Sequence, residues 1–265
     1  MSFRGRWVVL TGASAGLGRE MAKILARDYG ANLVLVARRE ARLRELATEL
    51  ERYGVSTEVV AADLAIEDDV QRAFDESTRG RTIYGVILNA GITHFGHHDE
   101  LSFDDFKKML ALNVTSSTQL MGLFSAYLEE RGERGGMLVV SSLAGLTPVA
   151  YQAAYSGTKA FLVNYACSLH HEMSKRGVSI TTVTPGGIAT EMTAGDRFDA
   201  LRKWLMPADR CAADCLQAFE KRLYLHTPGA MYRWGTKLTK LVPERFFVGR
   251  VAAEYRKSLD HPSDR

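Results

Sequence analysis

Tyr155 and Lys159 stand four residues apart, and Ser142 precedes the tyrosine by thirteen. Residues four apart on a helix share a face, which puts the ammonium of Lys159 near the phenol of Tyr155. A free phenol titrates near ~10. A fixed positive charge beside it favours the phenolate and lowers that value. A tyrosine tuned in this way can exchange a proton with a carbonyl or alcohol oxygen near neutral pH. A serine hydroxyl at the end of the preceding strand can hydrogen-bond the same oxygen. The stretch 141–159 reads S-S-L-A-G-L-T-P-V-A-Y-Q-A-A-Y-S-G-T-K. It follows an apolar run, 137–140, that reads as a buried strand, and it enters an alanine-rich helical segment. The plain alternative is a tyrosine and a lysine on a partly exposed helix with a serine nearby. The rest of the chain decides between the two.

The elements that would position a cofactor come first in the chain. Residues 7–11 (W-V-V-L-T) are β-rich, and residues 11–18 read T-G-A-S-A-G-L-G. Leu17, Met21, Ile24 and Leu25 then recur at helical spacing. In a strand–turn–helix of this kind, Gly12, Gly16 and Gly18 let backbone approach a pyrophosphate. The amides at Ser14, Ala15 and Leu17 open the helix N-terminus toward it. A glycine triplet alone also serves tight turns and helix caps; the strand before it and the helix after it favour phosphate binding. A second strand, 32–37, ends at Arg38 and Arg39. A fold that prefers NAD usually carries an acid here, bonded to the ribose 2′-hydroxyl. Two arginines at a helix start oppose the helix dipole, whereas guanidinium matches a 2′-phosphate well. The expectation is NADP(H) in preference to NAD(H), with Ser14 adding a hydroxyl to the same phosphate. Two solvated arginines at a surface turn are the alternative.

With those motifs in place, the chain resembles the short-chain dehydrogenase/reductase family. The matches occur in family order: the glycine motif, Asp63-Leu64 after a third strand and Asn89-Ala90-Gly91 after a fourth. Asn113, Ser142, Tyr155-x3-Lys159 and Pro185-Gly186 follow. They cover about residues 5–190. The resemblance implies that Tyr155 is the catalytic acid/base and that Ser142 orients the substrate oxygen. It implies that Lys159 holds the nicotinamide ribose and lowers the tyrosine pKa, and that Asn113 supports a water relaying protons to Lys159. By the same resemblance Asp63 and Leu64 meet the adenine, and Asn89, Ala90 and Gly91 line the cofactor. Pro185, Gly186, Ile188 and Thr190 cover its nicotinamide end. Departures are small: Leu88 stands where a second asparagine is usual, and Ala15 replaces a common serine.

Strand-like runs at 7–11, 32–37, 57–61, 85–88, 137–141, 178–184 and 223–227 alternate with helical stretches. That alternation predicts an α/β, Rossmann-like, doubly wound parallel sheet of about seven strands with helices on both faces. The expected division is a dinucleotide-binding and catalytic domain over 1–227 and a helical extension of it over 228–265. The net charge of +3 arises from 34 basic and 31 acidic residues, interspersed. No nucleic-acid footprint follows from that balance. Apolar runs fall short of a transmembrane span, and three cysteines make no disulfide framework. The expected location is the cytoplasm. Cys211 and Cys215, at helical spacing, read as packing residues. His94, His97, His98 and Asp99 lie in a polar loop, and no metal is expected there.

Substrate selection is expected after Pro185. Met192, Phe198, Leu201, Trp204, Leu205 and Met206 suit an apolar flap, with ordinary helix packing as the alternative. Leu143, Tyr151, His94, Gly187, Met192 and Trp204 are the candidate substrate-lining residues. The tail, 230–259, places Trp234, Leu238, Leu241 and Val242 on one helical face, opposite Arg233, Lys237 and Lys240. Phe247, Val251, Tyr255 and Leu259 repeat every four residues. The tail resembles that of a bacterial subgroup of uncharacterised oxidoreductases. It reads as packing on the body or a second subunit, as a lid over an apolar substrate, or as a basic amphipathic surface for anionic lipid. Helices over 103–129 and 152–175 carry apolar and small outer faces (Ala153, Ala154, Gly157, Ala160), and the resemblance implies a homodimer or homotetramer through them. The function expected is an oxidoreductase passing hydride between NADP(H) and a carbonyl or secondary alcohol of a largely apolar substrate. Its rivals are an NAD-linked alcohol dehydrogenase and a non-catalytic dinucleotide-sensing regulator.

Overall fold

β-Branched and leucine-rich runs with no polar face must be covered on both sides, and this chain supplies helices for both. The computed structural model describes residues 1–195, 197, 202, 204–239 and 243–260. Along the chain run β1 (Trp7–Thr11), α1 (Gly16–Arg27), β2 (Asn32–Ala37), α2 (Glu40–Glu51), β3 (Thr57–Ala61), α3 (Glu67–Thr78) and β4 (Ile83–Leu88). Next come α4 (Phe103–Leu110), α5 (Ser116–Arg131), β5 (Gly136–Val140), α6 (Ala153–Ser174) and β6 (Ser179–Val183). The last part holds β7 (Ile188–Ala189), β8 (Met206–Pro207), α7 (Ala208–Glu220), β9 (Leu225–His226), α8 (Ala230–Thr239) and α9 (Glu244–Asp260).

The main sheet has the order β3-β2-β1-β4-β5-β6-β9, parallel throughout. The strand order reverses between β1 and β4, which opens a crevice at their carboxyl ends where such folds bind dinucleotides. On one face α1, α2 and α7 pack Met21, Leu25, Leu43, Leu46, Leu216 and Phe219. On the other, α3, α5 and α6 pack Val70, Leu120, Phe124, Leu162 and Ala166. Among the described residues, no buried residue of either cluster lies beyond Phe219. The doubly wound sheet of about seven strands is therefore the observed architecture.

Three local differences from the sequence reading have physical causes. The helix expected over 103–129 is interrupted by a π turn at Ala111–Thr115. There the Asn113 side chain bonds to the backbone of Ile92 in both directions, at 2.9 Å each, and to Thr158 Oγ1 at 3.1 Å. The last strand shortens to the two residues that pair with Thr182 and Val183. The flap is held by a two-residue parallel pair, Ile188–Ala189 with Met206–Pro207; Phe198 and Leu201 lie outside the described residues. No helix among the described residues is long and apolar enough to cross a membrane.

Candidate active site

β5 runs out at Val140, and the chain turns at Ser141 and Ser142 before α6 returns beneath the same crevice. The hydroxyl of Ser141 donates to Lys159 O at 2.8 Å, which ties the strand end to the helix. Lys159 is 4% exposed. Its ammonium donates to Val140 O at 3.0 Å and lies 5.7 Å from the centre of the Tyr155 ring. Ser142 lies close enough to the Tyr155 phenol to favour its ionised form, and its Oγ accepts from Ala144 N at 3.2 Å. Asn113 lies wholly buried below, where a Cβ on Gly91 would stand 3.1 Å from its Oδ1 and 3.5 Å from Lys159 Nζ.

The protonation states differ from the sequence expectation. Burial raises the Tyr155 phenol above its ordinary value, and the nearby Ser142 opposes only part of that rise. Burial also depresses Lys159, to about 8. The ammonium donates to Val140 O, and desolvation is the largest influence on the phenol. The phenol is consequently a protonated acid at neutral pH rather than a poised base.

The site opens into one cleft of about 900 Å³. At one end are Gly12, Ser14, Ala15, Gly16 and Leu17, then Arg38, Arg39, Asp63 and Leu64. In the middle are Asn89, Ala90, Gly91, Ser142, Tyr155 and Lys159, with Pro185, Gly186, Ile188 and Thr190 along the opposite wall. The cradle fits a dinucleotide. Helix α1 starts at Ala15 with no side-chain cap, which leaves its first amides free to meet an anion. Gly16 sits at φ +53°, favoured by glycine, with Thr190 directly opposite. Gly18 does not face the cleft; a Cβ there would strike Gly12 O at 2.3 Å, so its role is the close packing of α1 on β1. Arg39 donates to Ser14 Oγ from Nε and a terminal nitrogen, at 3.3 and 3.2 Å. Arg38 remains largely exposed beside Asp63, 3.7 Å away.

On the substrate side, Leu143, Gly187, Met192 and Trp204 line the cleft. His94 and Tyr151 do not, which corrects the sequence expectation. His94 Nε2 turns to His97 O at 3.3 Å. Tyr151, in the left-handed region at φ +63°, sets its ring edge-on to His97 and accepts a 2.8 Å bond from Arg256 Nε. The residues that sequence reasoning missed belong to the tail: Met231, Tyr232, Gly235 and Thr236 of α8, and Arg250, Val251, Glu254 and Tyr255 of α9. These helices roof the cleft. Tyr255 packs edge-on against Phe95 at 5.1 Å and is close enough to Tyr155 for their charges to interact. The repeat from Val251 to Tyr255 was the signal that could have found them.

The tail's faces are also turned from the expected orientation. Arg233 points into the body, bonding Asp214 Oδ2 at 2.9 Å and Thr227 O at 3.0 Å. Trp234 points outward, 65% exposed. Lys240, Leu241 and Val242 lie outside the described residues. Among the described residues no group of three or more His, Cys, Asp or Glu side chains could hold a metal ion. Cys211 and Cys215 are buried free thiols.

The sequence profile of the short chain dehydrogenase family matches residues 6–200. The chain belongs to that family. It is 30% identical over 249 residues to an uncharacterized oxidoreductase of Myxococcus xanthus, covering 91% of this chain and 94% of that one. It is 33% identical over 190 residues to a very-long-chain 3-oxoacyl-CoA reductase of Scheffersomyces stipitis, covering 68% of this chain and 55% of that one. The chain spans 55 to 64% of the length of five curated relatives it matches, two of them 3-oxoacyl-CoA reductases and three hydroxysteroid dehydrogenase-like proteins. Among solved structures, a short-chain dehydrogenase from Sphingobium yanoikuyae in complex with NADPH superimposes with TM-score 0.80 at 29% identity, over 87% of this chain and 91% of that one. The bulky-bulky ketone specific alcohol dehydrogenase from Comamonas testosteroni gives 0.76 at 26% identity, over 89% and 91%. A Burkholderia phymatum member in complex with NAD, at 20% identity and TM-score 0.81 over 100% and 99%, shares the fold.

Proposed function

We propose that this chain is an NADP(H)-dependent reductase of ketones with a bulky, largely apolar body. The observation that carries the reading is the convergence of Ser142, Tyr155 and the buried Lys159 on one cleft. They sit where a phosphate-binding cleft runs on into a chamber roofed by aromatic and aliphatic side chains. A nicotinamide held in this cleft would supply hydride to the carbonyl carbon. Gly12, Ala15 and Gly16 would hold its pyrophosphate, Arg38, Arg39 and Ser14 its 2′-phosphate, and Asn89, Ala90 and Gly91 its middle. Ser142 fixes the substrate oxygen, and Tyr155 delivers the proton from its hydroxyl to that oxygen. The buried Lys159 ammonium stabilises negative charge as it develops there. Asn113 holds the Ile92 backbone and Thr158 in place beneath. A protonated Tyr155 suits the reductive direction. The Sphingobium neighbour with NADPH supports the cofactor choice, and the Comamonas neighbour, named for bulky ketones, supports the substrate class.

By the same family likeness we place the working enzyme in the cytoplasm as a homodimer or homotetramer, using the outer faces of α5 and α6. The test is a panel of small and bulky ketones, each run with NADPH and with NADH. The expected result is reduction with kcat/KM at least roughly tenfold higher for NADPH, since a charge-assisted phosphate contact contributes ~1.5–3 kcal/mol. Equal use of NADH would overturn the cofactor assignment, and no turnover of any ketone would favour a dinucleotide-sensing regulator instead.

A further inference from the structure

Opposite the arginines, at the adenosine end of the cleft, stands a carboxylate that the proposed mechanism does not use. Glu191 follows Thr190 in a short turn, Glu191–Thr193, after β7. Its Oε2 accepts from Arg39 at 3.1 Å and its Oε1 from Arg42 at 2.5 Å. The remaining nitrogens of Arg39 on this side are those that meet Ser14 Oγ. One carboxylate is therefore held by two guanidiniums, one of which belongs to the donor set assigned above to a 2′-phosphate. Carboxylate and phosphate are recognised by the same guanidinium fork.

Two local side-chain bonds shape the turn that presents Glu191. Thr193 Oγ1 donates to Ile188 O at 2.6 Å and accepts from Thr190 N at 3.1 Å. Thr190 itself lies over the phosphate turn, where a Cβ on Gly16 would meet it at 3.2 Å. Glu191 thus spans the groove between the loop that covers the cofactor and the helix that reads its adenosine end. All three charged side chains are partly exposed, at 46, 42 and 60% for Arg39, Arg42 and Glu191. Ion pairs of that exposure are worth little each and exchange readily for a better anion.

We propose that Glu191 is a specificity-determining latch: its carboxylate, steadied by Arg42, competes with the 2′-phosphate for Arg39, and the phosphate must displace it. The inference rests on the assignment of a 2′-phosphate to Arg38, Arg39 and Ser14. Displacement frees the turn carrying Thr190 and Met192, both of which line the cleft. Recognition at the phosphate end is thereby linked to the mobility of the wall beside the chemistry. A ligand lacking the 2′-phosphate leaves the latch shut.

The test uses two fragments that need no turnover, adenosine 2′,5′-bisphosphate and 5′-AMP, titrated calorimetrically into the wild type and Glu191→Gln. Glutamine keeps the shape and removes the charge. The latch predicts that Glu191→Gln binds the bisphosphate at least fivefold more tightly while 5′-AMP changes less than twofold. Hydrogen exchange over 188–194 should rise when wild type takes the bisphosphate and not when it takes 5′-AMP. A bisphosphate affinity that is unchanged or weaker in the variant sinks the latch, as does an equal gain for both ligands. If neither wild type nor variant prefers the bisphosphate, the 2′-phosphate assignment falls and the latch with it.

Discussion

The floor and the roof of this cleft are built on opposite terms. The floor is the ends of β1, β4, β5 and β6 with α6 beneath them. Its polar side chains are buried and tied to backbone: Thr11 3% exposed, Asn113 0%, Lys159 4% and Thr184 0%. Thr11 Oγ1 accepts from the amides of Asn89 and Ala90, at 2.9 and 3.1 Å. The roof, α8 and α9, exposes Met231, Trp234 and Phe246 by more than half. Discrete polar anchors hold it: Arg233 and the Gly229 amide on Asp214, Arg256 on Tyr151, Ser258 on Arg197 O, and the Tyr232 hydroxyl on Trp204 O. A group that must deliver a proton within a fraction of an ångström belongs on the cooperative sheet. A surface that sorts substrates by bulk can sit on an element that opens locally without unfolding the body.

The largest effect expected is on the floor. Tyr155→Phe keeps the ring that fills the space below the roof and removes the proton. Ketone reduction should fall by about 10³-fold or more, in the range seen for loss of a positioned general acid. NADPH affinity by fluorescence titration should stay within a few-fold. Near-normal turnover would show that the floor does not hold the acid, and the contrast between the two regions would lose its chemical meaning.

A second test asks whether the floor gives up stability for function. The folded-state pKa of Lys159 is depressed to about 8, below the ~10.4 of a free lysine. Below about pH 8 the ammonium is charged in both states, and its burial costs stability in full. Between the two values the unfolded chain binds the extra proton, so stability rises with pH and the cost fades. Lys159→Met removes the charge but leaves Val140 O without its donor. The net gain should be on the order of 1–2 kcal/mol at pH 7, after the lost hydrogen bond is subtracted, and it should shrink toward pH 10. Urea midpoints at pH 7 and 9.5, without cofactor, measure it. A variant destabilised at pH 7 would mean that the floor's ammonium is well solvated or well paired after all.

How much of this was legible in sequence follows the same division. Strand positions from Trp7 to Val183 could be read because period and composition there answer to burial, which is local to each run. The glycine turn, the two arginines and the Ser142–Tyr155–Lys159 spacing could be read because each depends on one strand end and one helix start. The π turn at Asn113 could not, since its cause is a side-chain bond to Ile92, twenty-one residues away. Nor could the latch: Arg39 and Glu191 are 152 residues apart, and nothing in either neighbourhood names the other. The orientation of the tail was misread for a related reason. A helical wheel assigns Trp234 to the buried side, but Asp214 on α7 captures Arg233 and turns the helix the other way. His94 and Tyr151 were placed at the substrate by proximity in sequence, whereas His97 and Arg256 draw them aside.

The smallest effect, and the sharpest probe of the roof, is truncation after Thr227. Among the described residues, both hydrophobic clusters lie before that point, and β9 keeps its pairing with Thr182 and Val183. The body should therefore stay folded. The cofactor donors all precede Glu191, and Tyr155, Ser142 and Lys159 keep their partners, so NADPH affinity and reduction of a small ketone should change little. What goes is the wall formed by Met231, Tyr232, Val251 and Tyr255 in the cleft that holds Tyr155. A bulky apolar ketone gains its binding from that wall at ~25 cal/mol per Å² of apolar area buried. Losing even a modest contact of about 50 Å² costs about 1.2 kcal/mol on that scale. The ratio of bulky to small ketone kcat/KM should accordingly fall several-fold, with KM for the bulky substrate carrying most of it. If the truncated chain keeps the wild-type ratio, the roof does not select, and its helices serve packing alone. If the ratio holds but the full-length chain co-sediments with anionic vesicles and the truncated one does not, the exposed Trp234 and Phe246 mark a lipid-facing surface. If both ketones fall together with NADPH affinity, floor and roof are one cooperative unit, and the division drawn between them fails.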